Sequence, residues 1–90
     1  MKITFDPAKR AATLADRGID FADASLVFEG PTFDRPDERF EYPEPRFITA
    51  GLLRGRMVIV VWTPTADGRR IISMRKANDS EKARFGQQLA

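Results

Sequence analysis

Hydrophobic and polar positions follow a helical period at both ends of the chain and a strand pattern in the middle. Ile3 to Phe5 predicts a short first strand. Asp6 and Pro7 are a typical N-cap and first helical residue, and Gly18 is a typical C-terminal stop, so a helix is expected from Pro7 to about Arg17. Its small apolar positions predict close packing against a flat surface: Ala8, Ala11, Ala12, Leu14 and Ala15.

A second, short helix is predicted from Phe21 to Phe28, with Asp20 as its cap and Gly30-Pro31 as its end. Its inward positions are expected to be Phe21, Ala24, Leu26 and Phe28. The prolines between Pro31 and Pro45 favour a loop or an edge strand, with Thr32 to Asp34 extended. The acids of this stretch do not follow the calcium-loop pattern, and we expect a mobile, solvated loop: Asp34, Asp37, Glu38, Glu41 and Glu44.

Strands are predicted in the second half of the chain. Arg46 to Leu52 alternates as a strand, and Arg54-Gly55 indicates a turn. Arg56 to Thr63 is β-branched and apolar on both faces, which is typical of a central strand covered on both sides. Pro64 to Gly68 contains an Asp-Gly turn signal, so Arg69 to Lys76 is the return strand of a hairpin.

Asn78 and Glu81 form a capping-box variant that opens a last helix ending near Leu89. The element order is then β-α-α-β-β-β-β-α. This order predicts a single α+β domain over residues 1–90, in which a small antiparallel sheet carries two N-terminal helices and one C-terminal helix.

Composition narrows the function classes for this 90-residue chain. It has no cysteine and no histidine, which excludes disulfides, thiolate metal sites and the usual neutral-pH base. The longest apolar run, Met57 to Trp62, is far shorter than the ~20 residues of a membrane span. Asp6 precedes any apolar segment of a signal peptide, so a cytoplasmic protein without membrane contact is expected.

Charge is unevenly divided along the chain. Residues 1–45 hold six Lys or Arg and ten Asp or Glu, whereas residues 46–90 hold nine and three. The basic half is mostly arginine, whose planar fork suits phosphate and carboxylate. This favours a polyanion or an acidic partner surface as ligand. The alternative is that these arginines are solvated or paired with acids of the first half.

Five segments of the chain, in order, resemble the BrnT family: Phe5-Asp6-Pro7-Ala8-Lys9, Gly18-Ile19-Asp20-Phe21, Glu44 to Gly51, Gly55 to Thr63, and Arg70-Ile71-Ile72-Ser73-Met74-Arg75-Lys76-Ala77. The last is the most specific of them. The resemblance implies the toxin of a type II toxin–antitoxin pair with a RelE-like fold, a small antiparallel sheet with helices on one side. It also implies a ribonuclease that arrests growth, and a BrnA-like ribbon-helix-helix antitoxin. The complex of the two would bind operator DNA through the antitoxin.

The chain departs from the family pattern at three places. Thr13 stands where the family commonly has Asn, Asp16-Arg17 where it has Lys-His, and Phe85 where it often has Tyr. Two alternatives follow: the lost histidine and tyrosine are not needed for cleavage, or this member is weakened or inactive. In the second case the chain is a non-catalytic module that binds its partner and acts as a co-repressor. A third interpretation is a basic RNA-binding domain without a protein partner, but it does not explain the acidic first half of the chain.

RNA carries its own nucleophile, the 2′-hydroxyl, so a small ribonuclease needs chiefly to position it and to stabilise charge on phosphorus. Arginine and lysine do this without cofactor or metal. The predicted catalytic residues are Arg46, Arg70, Arg75 and Lys9. Arg56, Arg69 and Lys76 are predicted to bind substrate, and Glu44, with Glu41 as a second choice, is the possible general base.

Strand alternation limits this assignment. In a regular strand Arg70, Ile72, Met74 and Lys76 share one face, and Arg69, Ile71, Ser73 and Arg75 share the other. Arg70 and Arg75 therefore reach one phosphate only if the strand bends near Ser73. Ser73 itself, with no base beside it, is interpreted as a small polar strand residue. The alternative for each arginine is a surface residue or a partner of a nearby acid.

Overall fold

A computed structural model describes residues 2–89 of the chain. Its elements are β1 (Lys2–Phe5), α1 (Pro7–Arg17), a 3-10 helix (Phe21–Asp23), α2 (Ala24–Glu29), β2 (Thr32–Pro36), β3 (Phe47–Leu53), β4 (Arg56–Pro64), β5 (Gly68–Lys76) and α3 (Asp79–Leu89). The predicted α+β class and element order are confirmed.

The five strands form one sheet in the order β1-β5-β4-β3-β2. Neighbouring strands are antiparallel except β1, which pairs in parallel with the first four residues of β5, from Lys2 opposite Gly68 to Phe5 opposite Ile71. β2 is an edge strand, as its prolines predict.

The helix ends that the sequence predicts are present. Asp6 accepts a hydrogen bond from the backbone N–H of Ala8 at 2.9 Å. Gly18 adopts a left-handed φ of 68° and its N–H donates to the Leu14 carbonyl at 3.0 Å. Asn78 and Glu81 exchange backbone-to-side-chain bonds of 2.9 and 2.8 Å, so the capping box is reciprocal.

Both faces of the sheet are covered. On one face, here the α2 face, Phe21, Ala24 and Val27 pack on β4 and β5. On the other, the α3 face, Phe85 and Leu89 pack on β3 and β4. The central strand β4 is thus buried on both sides, as predicted. The expectation that all helices lie on one side is wrong, because the apolar positions of α3 require a second core.

α1 does not pack as predicted: none of its residues is buried, and Leu14 is 44% exposed. The α2 face is already filled by the 3-10 helix and α2. α1 instead lies beside the part of β5 that follows its pairing with β1, where the Arg17 Nη1 donates to the Met74 carbonyl at 3.1 Å.

In α2, Leu26 is exposed, contrary to prediction, and Val27 is buried in its place. The 3-10 turn has three residues per turn, which shifts the helical phase that follows.

A β-bulge in β5 overturns the predicted alternation. Trp62 lies opposite Ile71 and Val61 opposite Ser73, so Ile72 is an extra residue. As a result Arg70, Ser73 and Arg75 all lie on the α3 face. The strand irregularity that the arginine assignment needs is present one residue before Ser73.

The acidic stretch after β2 is not simply a mobile, solvated loop. Asp37 is buried, and its N–H donates to the Arg46 carbonyl at 2.8 Å, which closes the segment between β2 and β3. A buried carboxylate requires partners. They are Arg39 and Tyr42 of the same loop, so this part of the stretch has a defined structure.

Candidate functional site

A small cavity of about 170 Å³ opens on the α3 face of the sheet. Its floor is apolar and consists of Ile48, Ile59 and Val61. Its rim is made by Arg35, Arg39, Ser73, Arg75, Glu81 and Phe85. We call it the arginine cavity.

Four separate parts of the chain supply the rim. The bulge at Ile72 directs Ser73 and Arg75 of β5 to this face. Arg35 comes from β2, where it lies opposite Ile48 of β3. Arg39 comes from the following loop, and Glu81 and Phe85 are one turn apart on α3.

Arg75 and Glu81 form a bidentate ion pair at the rim, with both terminal guanidinium nitrogens 2.7 Å from the carboxylate oxygens. Glu81 also accepts the backbone N–H of Asn78, so its position is fixed by the start of α3. The bond from Arg75 lowers the pKa of Glu81 to about 2, and the same bond raises the pKa of Arg75. Both groups are therefore charged throughout the neutral range.

Arg39 is held in the same way by Asp37, whose carboxylate accepts its Nε at 2.8 Å and its Nη2 at 2.9 Å. The hydrogen bond from Arg39 lowers the pKa of Asp37 to about 2. Within residues 2–89, Arg35 forms no salt bridge; its guanidinium carbon lies 5.7 Å from the centre of the Phe85 ring. The three arginines and the two carboxylates that pair with them, Asp37 and Glu81, leave a net charge of +1 at the cavity, which suits an anion such as phosphate.

Ser73 joins the arginine cavity to a second one. This neighbour, the α1 cavity, has a volume of about 410 Å³ and is lined by Lys9, Ala12, Thr13, Asp16, Arg17, Ile72 and Ser73. Lys9 thus lies on the far side of Ser73 from Arg75. The positions predicted to depart from the family pattern also line these two cavities: Thr13, Asp16 and Arg17 line the α1 cavity, and Phe85 lines the arginine cavity.

The structure brings some of the predicted catalytic residues together and separates others. Arg75 lines the arginine cavity and Lys9 its neighbour, whereas Arg70 is exposed on the same face without lining either. Arg46 lies elsewhere: its guanidinium carbon is 4.1 Å from the centre of the Tyr42 ring, and it pairs with Glu44 at 3.3 Å. Glu44 and Arg46 line a separate surface cavity at the loop.

The three predicted substrate-binding residues do not line the arginine cavity. Arg69 lies on the opposite face, 4.1 Å from the centre of the Phe28 ring and 4.6 Å from that of Trp62. Arg56 and Lys76 line a further cavity near the turn between β3 and β4.

Sequence reasoning missed Arg35, Arg39 and the second role of Glu81. Arg35 sits in an acidic, proline-rich stretch that gives no sign of a cation site, and its place depends on the β2–β3 register. The sequence identifies Glu81 as a capping residue. Arg75 lies on the preceding strand, however, so the sequence separation of the two residues does not show that their side chains meet. Only the packing of α3 brings the two side chains together.

Within the described residues, no group of three or more acidic, histidine or cysteine side chains is arranged to hold a metal ion. No helix in that part of the chain is long and apolar enough to cross a membrane.

A family model described as ribonuclease toxin, BrnT, of type II toxin-antitoxin system matches residues 5–81 of the chain. The chain belongs to the BrnT family. The BrnT match includes Arg35, Arg39, Ser73, Arg75 and Glu81, whereas Phe85 lies beyond it. Membership of a type II toxin–antitoxin family implies an antitoxin partner. No curated protein matches this chain.

Proposed function

We propose that this BrnT-family chain is an endoribonuclease that binds the scissile phosphate of RNA in the arginine cavity. The observation that carries the proposal is the meeting of Arg35, Arg39 and Arg75 around one small, apolar-floored opening. Guanidinium groups next to an apolar floor interact more strongly with an anion than they do in open water.

In the proposed reaction the 2′-oxygen attacks the adjacent phosphorus. The bond from that oxygen to phosphorus forms as the bond from phosphorus to the 5′-oxygen breaks. The 2′-hydroxyl proton leaves to water, and the departing 5′-oxygen takes a proton from water. The products are a 2′,3′-cyclic phosphate and a 5′-hydroxyl. The arginines stabilise the extra negative charge on the pentacoordinate phosphorus.

Charge stabilisation accounts for most of the proposed rate enhancement, because the cavity has no group suited to proton transfer. The chain has no histidine. Glu81, with a pKa of about 2 and both oxygens on Arg75, is a weak base. Glu44 lines the separate loop cavity beside Arg46, away from a phosphate bound in the arginine cavity, so the proposed reaction assigns it no proton transfer.

The other predicted residues extend the proposed RNA surface. Lys9 faces the α1 cavity across Ser73, and Arg70 follows the same face of β5. Both are proposed to contact phosphates that flank the scissile one. Arg56, Arg69 and Lys76 remain proposed as peripheral RNA contacts.

We further propose a BrnA-like, ribbon-helix-helix antitoxin as the partner, in the cytoplasm, with operator DNA bound through it. RNA cleavage by the free toxin would arrest growth, and the antitoxin would prevent it. A RelE-like relationship of the fold belongs to the same proposal.

The test is expression of the chain in bacteria, with and without the neighbouring gene. Wild type alone should arrest growth and degrade RNA, and the neighbour should restore growth. Arg75→Ala should lose roughly 100-fold or more of the RNA cleavage rate, as loss of one charge-stabilising donor does elsewhere. Arg75→Lys should recover only part of it, since lysine lacks the bidentate fork.

Lys2→Ala is the matched control for this experiment. Lys2 is an exposed cation on β1, outside the arginine cavity and the α1 cavity, and its removal should leave cleavage unchanged. If Arg75→Ala and wild type affect growth and RNA equally, the nuclease proposal is wrong.

One observation favours the alternative of a non-catalytic co-repressor. Both terminal nitrogens of Arg75 are occupied by Glu81, which is how a purely structural ion pair looks. On this alternative the purified chain does not cleave RNA, yet it strengthens the binding of its antitoxin to operator DNA. A cleavage assay together with an operator-binding titration separates the two functions.

A further inference from the structure

The loop between β2 and β3 carries an exposed aromatic ring next to a hydrogen-bonded cluster of side chains. Phe40 is 71% exposed, the largest exposure among the large hydrophobic residues described. Its ring meets the ring of Tyr42 edge to face, with centroids 6.0 Å apart. An exposed ring beside a second ring offers a flat surface on which another planar group can stack.

Hydrogen bonds to a buried carboxylate and a guanidinium–ring contact hold this loop. The Tyr42 hydroxyl donates to the buried Asp37 carboxylate at 3.1 Å, and the same carboxylate holds Arg39. Arg46 lies against the Tyr42 ring, with its guanidinium carbon 4.1 Å from the ring centre. In the aromatic platform, defined as Phe40, Tyr42 and Arg46, the last two side chains are therefore held in place before a ligand binds, which lowers the entropy lost on binding.

The platform is continuous with the arginine cavity. It lines a loop cavity of about 550 Å³, which shares Asp37 and Glu38 with a shallow groove. That groove in turn shares Arg35 and Arg39 with the arginine cavity. A flexible strand bound at the arginines can thus reach the platform without leaving the surface.

Charge decides which part of such a strand enters the loop cavity. Glu38, Glu41 and Glu44 line it and repel phosphate. A nucleobase is uncharged, stacks on aromatic and guanidinium planes, and offers N–H donors that carboxylates accept. The acids thus direct the base to the loop and leave the phosphates at the arginines.

We propose that Phe40, Tyr42 and Arg46 form a stacking site for an unpaired nucleobase of the bound RNA. The proposal rests on RNA being the ligand of the arginine cavity, and it assigns a role to Arg46 that is separate from the scissile phosphate. It predicts that the chain prefers single-stranded RNA.

The test measures binding of a short single-stranded 2′-O-methyl RNA, which lacks the nucleophile and is not cleaved. Phe40→Ala should weaken binding roughly 5- to 100-fold, the usual effect of losing one base-stacking ring. Phe40→Trp should restore binding, because it supplies another ring. The dependence of affinity on salt should be the same in Phe40→Ala as in wild type, since stacking releases no counterions.

Two controls accompany this experiment. Leu26→Ala removes another exposed apolar side chain, on α2, and should leave affinity unchanged. The same oligonucleotide annealed to its complement should bind wild type and Phe40→Ala alike, because its bases are paired.

The outcomes separate this inference from the proposed function. If wild type binds single strands and Phe40→Ala binds them equally well, the stacking site is wrong and the nuclease proposal stands. If Phe40→Ala instead loses affinity only for the antitoxin, the platform is a protein contact and the inference is overturned. If wild type does not bind RNA, both proposals are wrong.

Discussion

At the scale of single residues, Glu81 has three roles that depend on one carboxylate. It caps α3 through the N–H of Asn78, holds Arg75 by two bonds, and lines the arginine cavity. A carboxylate held so firmly is ionised in the folded state at a pH where the unfolded chain already binds a proton. The stability of the fold is therefore linked to pH through this residue.

Acid should destabilise the protein between about pH 5 and pH 2. The pKa values of Asp20, Asp37 and Glu81 are lowered to about 2 in the folded state, each chiefly by a hydrogen bond from an arginine. A lowered folded pKa contributes stability that is complete above the unfolded value and is lost as pH falls through the folded value. The melting temperature, followed from pH 7 to pH 2.5, should fall in that range.

Glu81→Gln isolates one of these three contributions. The variant should melt at a lower temperature at pH 7 and should show a shallower fall towards pH 2.5, with Asp20 and Asp37 unchanged. A variant whose melting temperature falls as steeply as that of wild type would show that Glu81 does not contribute to the acid transition.

At the scale of elements, α2 lies unusually close to β3. A Cβ atom added at Gly51 would collide with the Val27 side chain, because the helix rests directly on the strand backbone. Gly51→Ala should destabilise the fold by about 1–3 kcal/mol, the usual effect of overpacking. A Cβ atom added at Gly86 on α3 would meet no neighbouring atom, so Gly86→Ala should stabilise the fold by about 0.5–1 kcal/mol.

Urea unfolding of the two variants measures this pair of opposite shifts. Equal shifts of the same sign would contradict the close approach of α2 to β3.

Features that depend on residues close together in sequence could be predicted, whereas features that depend on distant segments could not. The caps at Asp6 and Gly18 depend on residues a few positions away, and the sequence predicts both. The bulge at Ile72 and the placement of α1 depend on strand register and on which face is already filled. Because Arg75 shares the cavity with Arg35 and Arg39 only through that register, the sequence singles out just Arg75 among the three arginines that line it, and the catalytic role of Arg75 stays a prediction.

At the scale of the whole molecule, opposite charges are concentrated in adjacent regions. The arginine cavity is positive, and the loop beside it, with Glu38, Glu41 and Glu44, is negative. A ligand with charged and neutral parts is therefore oriented before it makes any close contact.

The salt dependence of RNA binding should report how many phosphates the cationic side chains neutralise. If the arginines of the cavity share the scissile phosphate, and Lys9 and Arg70 each contact a flanking one, the logarithm of the affinity for single-stranded RNA should fall with the logarithm of salt concentration with a slope of about −2. Lys9→Ala should make this slope shallower by about 0.7. Fluorescence anisotropy titrations at several salt concentrations provide the measurement, and a flat response would point to a protein ligand instead.

The parallel pairing of β1 with β5 has a consequence for how the chain matures on the ribosome. Within the described residues β1 pairs only with β5, so it has no strand partner until Gly68 to Ile71 have left the exit tunnel. Contacts between segments so distant in sequence form late. Arg75 and Glu81 are synthesised after Ile71, so a nascent chain lacks a complete arginine cavity until both have emerged.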